Sequence, residues 1–153
     1  MKGFTLMETV LAVAMLSILA IAIFPTLGLL IQKSTLLRYD TQAAAILQEG
    51  MEVVYNVAAA DWDTVAVDQI YHPAVEAGTG MWTLLPGEQT VEAKYVRQIT
   101  VSPVCRQGEE GRWEVCGEDG RVDARSKLIR GEVRWQERGN DRVINAELLI
   151  VKL

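Results

Sequence analysis

The sequence predicts an α+β protein: a long N-terminal helix, one half suited to a membrane and the other amphipathic, packed on an antiparallel sheet of about four strands. Three observations lead there. Residues 9–31 carry no charge, apolar residues then recur at helical spacing as far as Ala58, and the last sixty residues alternate with period two. The 153 residues suit one body of ordinary size, and with half of them apolar a core can be buried.

The first half of the helix is assigned to residues 4–31. At about 1.5 Å per residue, the charge-free run from Thr9 to Ile31 spans the roughly 30 Å of bilayer hydrocarbon. A secretory signal has a shorter apolar region followed by a small-residue cleavage site, whereas this run leads directly into Gln32 and Lys33. Lys2 precedes the run, and Lys33 and Arg38 follow it, so basic residues do not fix the orientation. Glu8 is an ionisable group at the edge of the span, where a carboxylate needs a partner or headgroup water. Pro25 removes one backbone donor, and a kink or local melting is expected there.

The second half covers residues 32–61. Leu36, Ala43, Leu47, Met51, Val54 and Ala58 mark one face, while Arg38, Gln42, Glu49, Glu52 and Asn56 fall on another. Gly50 is a tolerated cost of about 1 kcal/mol. No proline lies between Gln32 and Ala60, so the two halves predict one helix of about 57 residues, near 85 Å.

Residues 62–153 form the body. A loop carries Asp68, His72, Pro73, Gly78 and Gly80, and strands are expected at Met81–Leu85, Lys94–Ser102, Lys127–Glu137 and Arg142–Lys152. Gly139, Asn140 and Asp141 read as the hairpin turn between the last two.

The segment Lys2-Gly3-Phe4-Thr5-Leu6-Met7-Glu8, followed by the apolar run, resembles the class III signal of type IV pilins and pseudopilins. Gln42 to Trp62 is similar to the segment that follows the span in minor pilins and pseudopilins. The resemblance implies residues 1–3 as a leader, cut by a prepilin peptidase between Gly3 and Phe4, and N-methylation of Phe4. It implies that Glu8 neutralises the Phe4 ammonium of a neighbouring subunit during assembly, and many pilins have a proline where Pro25 stands. The implied partners are the peptidase, other pilin subunits through their N-terminal helices, the membrane and an inner-membrane assembly platform. The implied location is the cytoplasmic membrane with the body outside, then the filament. A type II secretion pseudopilin and a DNA-uptake minor pilin fit the same signal, and a single-pass anchored binding module is the alternative.

Cys105 and Cys116 bracket a polar, Gly-rich loop. They can form one disulfide if the body has crossed the membrane, or stay reduced thiols if it has not. No enzyme is expected: there is no phosphate loop or nucleophile elbow, and His72 is the only histidine. No cofactor or metal is expected either. Asp61, Asp63 and Asp68, or Glu118, Asp119 and Asp123, could offer calcium oxygens, but their spacing fits no EF-hand and solvated acidic loops are preferred. Arg121, Arg125, Lys127 and Arg130 could meet nucleic-acid phosphates; with the net charge of −5 they read as a plain charged surface and nucleic acid as an improbable partner.

Overall fold

A computed structural model describes residues 5–107, 112–116 and 121–152. Helix α1 (Leu6–Ala60) is followed by a 3₁₀ turn (Trp62–Thr64) and seven strands: β1 (Gln69–Val75), β2 (Trp82–Pro86), β3 (Gln89–Val91), β4 (Tyr95–Gln107), β5 (Arg112–Val115), β6 (Val122–Glu137) and β7 (Asn140–Val151). The chain divides into two compact units, Met1–Thr41 and Gln42–Leu153. The boundary places residues 42–60 of α1 in the same unit as the sheet.

The first unit is helical from Leu6 onward and passes through Pro25 without interruption. Its hydroxyls are satisfied within the helix: Thr9 donates to the Leu6 carbonyl (2.8 Å), Ser17 to that of Val13 (2.8 Å) and Thr26 to that of Ile23 (2.7 Å). Bonding of this kind lets polar side chains sit on an apolar helix without seeking water.

Among the described residues of the second unit the sheet has seven strands, not about four. Its main path is β2-β1-β4-β6-β7, with β3 and β5 each paired to β4. The four expected strands correspond to β2, β4, β6 and β7. β3 and β5 are too short to show an alternation, and β1 was expected to be loop because of His72 and Pro73. The Glu76 N–H donates to the Met81 carbonyl (2.9 Å), which fixes the phase of the β1–β2 ladder. The pair Pro73↔Leu84 is then a non-hydrogen-bonded one. Pairing of β1 with β4 ends at Tyr71, so the missing proline donor costs no ladder bond on either side. His72 is thus a strand residue, its Nδ1 lying 3.2 Å from the Gly87 carbonyl.

The β6–β7 turn lies one residue earlier than expected. Glu137 pairs with Asn140, and the two turn residues, Arg138 and Gly139, have φ of 50° and 80°, the signature of a two-residue type I′ hairpin.

The apolar stripe of α1 is the expected one from Ala43 to Ala58, with Met51 partly buried and Gly50 and Val53 buried beside it; Leu36, expected on the same face, falls in the first unit. Ala43, Leu47, Val54 and Ala58 are buried. Val54 and Ala58 pack with Val65, Tyr71, Ile99, Val101, Ile129 and Ile150; Ala43 and Leu47 pack with Tyr95, Val133 and Trp135. One face of the sheet therefore covers the stripe, as neither surface can be left in water.

Candidate functional site

In the first unit, Glu8 sits in the first turn of α1, where the partial positive charge of the helix N-terminus favours a carboxylate. Its N–H donates to the Thr5 carbonyl at 3.0 Å, and the residue is exposed. Every large apolar side chain described between Leu6 and Ile31 is exposed as well, Leu6 at 83% and Phe24 at 71%. A helix apolar on all sides needs an apolar surrounding. Its most apolar window, with mean hydropathy 2.5, has no residue buried within the chain, and the helix is long and apolar enough to cross a membrane. Gly3 and Phe4, expected to flank a cleavage site, lie outside the described residues, as does Lys2.

In the second unit, two buried cations reach out from the sheet, one to α1 and one to the 3₁₀ turn that follows it. Arg97 on β4 is only 3% exposed. Its Nη1 donates to the Ile46 carbonyl (3.0 Å) and to Glu49 Oε1 (2.9 Å), and its Nη2 donates to Gln89 Oε1 (2.6 Å), so one guanidinium joins α1, β4 and β3. Glu49 is half exposed, which lowers the worth of that ion pair; the fork's fixed geometry is the larger contribution. Lys127 on β6 is 7% exposed. Its Nζ donates to the carbonyls of Trp62 (2.6 Å) and Val65 (2.5 Å) and lies 4.3 Å from the centre of the Trp62 ring. Burial pushes the Lys127 ammonium below its usual range and the Lys152 charge acts the same way, against the opposing charges of Asp63 and Asp61.

The alternation that marks the inner face of each strand also marks these cations. Arg97 shares its parity with Tyr95, Ile99 and Val101, and Lys127 shares its parity with Ile129, Val133 and Trp135. Lys127 is therefore not part of a basic surface. Arg130, of opposite parity, pairs with Glu147 at 2.6 Å, and Arg125 Nη2 donates to the Lys152 carbonyl at 3.0 Å. The basic stretch of β6 is thus divided among a buried strut, an ion pair and a strand-end contact.

Asp61 closes the exit of α1. Its carboxylate accepts from the Asp63 N–H (3.0 Å) and the Thr64 hydroxyl (2.9 Å), and these bonds, the Thr64 one foremost, hold it below the usual carboxylate range. Asp123 accepts from the Arg125 N–H (3.0 Å) and the Ser126 hydroxyl (2.9 Å). Both acids thus have local hydrogen-bonding roles, and among the described residues no group of three or more His, Cys, Asp or Glu side chains is placed to hold a metal. Glu118 and Asp119 lie outside the described residues.

Cys105 and Cys116 form a disulfide, with Cα atoms 4.9 Å apart. Cys105 is at the end of the core in β4, where it pairs with Glu114 of β5 and Val122 of β6. The bridge fastens the β5 excursion to the central strand. No protein-family model, curated protein or solved structure matches the chain.

Proposed function

We propose that the chain is a structural subunit of a type IV pilus or related filament, a minor pilin or pseudopilin. On this reading a prepilin peptidase cuts it between Gly3 and Phe4, Phe4 is N-methylated, and assembly proceeds through the N-terminal helix at an inner-membrane platform. The observation that carries the reading is Gly3-Phe4-Thr5-Leu6-Met7-Glu8 placed directly before an uncharged apolar run. The continuous α1, apolar and uncovered in its first unit and amphipathic against an antiparallel sheet in its second, supports it.

Physical chemistry gives Glu8 its role. Among helices packed in a low-dielectric bundle, an isolated carboxylate and an isolated ammonium are both costly, so pairing Glu8 with the Phe4 ammonium of a neighbour sets the axial stagger. The body stays outside the cytoplasmic membrane, where the Cys105–Cys116 bridge persists.

Co-expression with a prepilin peptidase, followed by intact mass, tests this. The expected product lacks Met1-Lys2-Gly3 and carries one added methyl group, and Gly3→Leu blocks the cut. A chain that keeps all three residues would remove the subunit reading and leave an anchored binding module. Glu8→Ala is expected to be cut normally yet to be lost from filaments; normal incorporation would overturn the role given to Glu8.

A further inference from the structure

Every neighbouring pair along the path β2-β1-β4-β6-β7 is antiparallel, and the path has five strands. Its two outer strands, β2 and β7, therefore run in the same direction. Among the described residues each is paired on one side only.

The backbone groups on these edges have a definite phase. The Lys152 N–H donates to the Arg125 carbonyl, in the same offset as the twelve β6–β7 pairs. Glu147, Leu149 and Val151 therefore turn their N–H and C=O groups away from β6, while the helix-side residues Ala146, Leu148 and Ile150 spend theirs on the ladder. On β2 the phase set by Glu76 and Met81 leaves the groups of Trp82 and Leu84 outward, and these two are on the helix side. Outward groups on opposite faces of two edges satisfy each other in a parallel pair with the faces matched. An antiparallel pair would place the two helix layers on opposite sides.

Over the stretch that would meet β2, the β7 edge lacks most of the devices that keep monomers apart, the charges Asp141, Arg142 and Lys152 lying toward its ends. From Val143 to Val151 it has no proline, lysine or arginine and no break in register, and its one charge, Glu147, is occupied by Arg130. Beneath it, between α1 and β7, lies a groove of about 380 Å³ lined by Met51, Tyr55 and Leu148 with Gln48, Glu52 and Asn56. At the opposite edge Trp82, on the same helix-side face, is 48% exposed.

We infer that the body joins a second copy of itself edge to edge. β7 of one copy takes β2 of the next as a parallel strand, and Trp82 of that next copy covers the groove beside Leu148. The contact rests on the polymer-subunit reading for its purpose. It is heterologous, uses different surfaces on its two sides, and leaves each new copy with the same open edge, so it propagates. Main-chain bonds supply the affinity and the tryptophan the register.

The test uses the full chain in membranes under mild oxidation, with Trp82→Cys and Leu148→Cys; the native cysteines are already bridged to each other. Mixing the two single variants is expected to give a cross-linked dimer, and neither alone should. Leu149→Pro removes the outward donor that would meet the Trp82 carbonyl while sparing the β6 ladder, and should lower the dimer yield about tenfold, the value of one hydrogen bond. A Leu148→Cys chain that cross-links to itself would overturn the proposal in favour of a two-fold contact. A dimer yield unchanged by Leu149→Pro, or Leu148→Cys captured by a chain of different mass, would also overturn it. Intact mass of the same samples reads the removal of residues 1–3 independently, so the two readings fail separately.

Discussion

Ile99 lies directly opposite Gly131 across β4 and β6, and α1 meets this pair with the sizes exchanged. Gly50 faces Ile99, for a Cβ there would stand 3.0 Å from Ile99 Cδ1; Met51 and Leu47 face Gly131, for a Cβ there would stand 2.7 Å from Met51 Sδ and 2.6 Å from Leu47 Cδ1. A bulky residue on one surface fills the space left by a glycine on the other. The depth of the helix on the sheet is thus set by two missing side chains.

Gly131→Val is therefore expected to destabilise the body by about 1–3 kcal/mol, the usual cost of overpacking. Urea denaturation of the full chain in detergent measures it. Met51→Ala added to Gly131→Val should recover part of the loss, as the two side chains compete for one space. Gly50→Ala is expected to fall near zero, since the roughly 1 kcal/mol gained in helix propensity offsets the displacement of Ile99 and Arg97.

Lys127→Met should cost about 1–3 kcal/mol, because the carbonyls of Trp62 and Val65 lose their donor while buried. A pH signature accompanies it. With the folded ammonium held below its usual 10.5, the unfolded chain binds more protons between the folded value and 10.5, so stability rises with pH through that window. The rise contributed by Lys127 should be missing from the variant when denaturation midpoints are followed on the alkaline side.

Asp61 has the opposite signature. Its carboxyl is held below 3.8 by Thr64 and Asp63, so its stabilising effect is complete above about 3.8 and is lost as pH falls through the lower folded value. Asp61→Ala should be less stable than the parent at neutral pH and converge with it in strong acid. Parallel acid titrations of thermal midpoints read the convergence.

Reduction of Cys105–Cys116, or Cys116→Ser, is expected to cost about 3 kcal/mol from the short loop it closes. The loss should appear in denaturant midpoints of the body. A chain equally stable with and without reductant would show that β5 is held by its ladder alone.

Much of this arrangement was legible in the sequence. The helix, its stripe from Ala43 to Ala58 and four strands follow from periods of 3.6 and 2, which report which side of an element is wet. What escaped depends on context. Pro73 reads as a strand breaker until the phase of its ladder is known, and β3 and β5 have too few residues for an alternation to register. Arg97 and Lys127 carried the inward parity, yet burial of a cation is decided by acceptors distant in sequence, Ile46 and Gln89 for one and Trp62 and Val65 for the other. The role of Gly50 was hidden for a similar reason: its cost is visible in the helix, while its reason is an isoleucine on a strand of the sheet.

The placement of Ile129, Val133 and Ile150 over the stripe of α1 also orders events in time. The helix leaves the ribosome first, and the side chains that cover Leu47 and Val54 are made on the order of ten seconds later at ordinary translation rates. Until then only β1 and β4, which carry Tyr71, Tyr95 and Ile99, are there to shield the greasy side of the amphipathic half. β6 and β7, joined by two residues, need little loop closure to pair, so once synthesised they can zip together and end the delay. A nascent chain stalled before residue 127 would remain a target for chaperones and proteases.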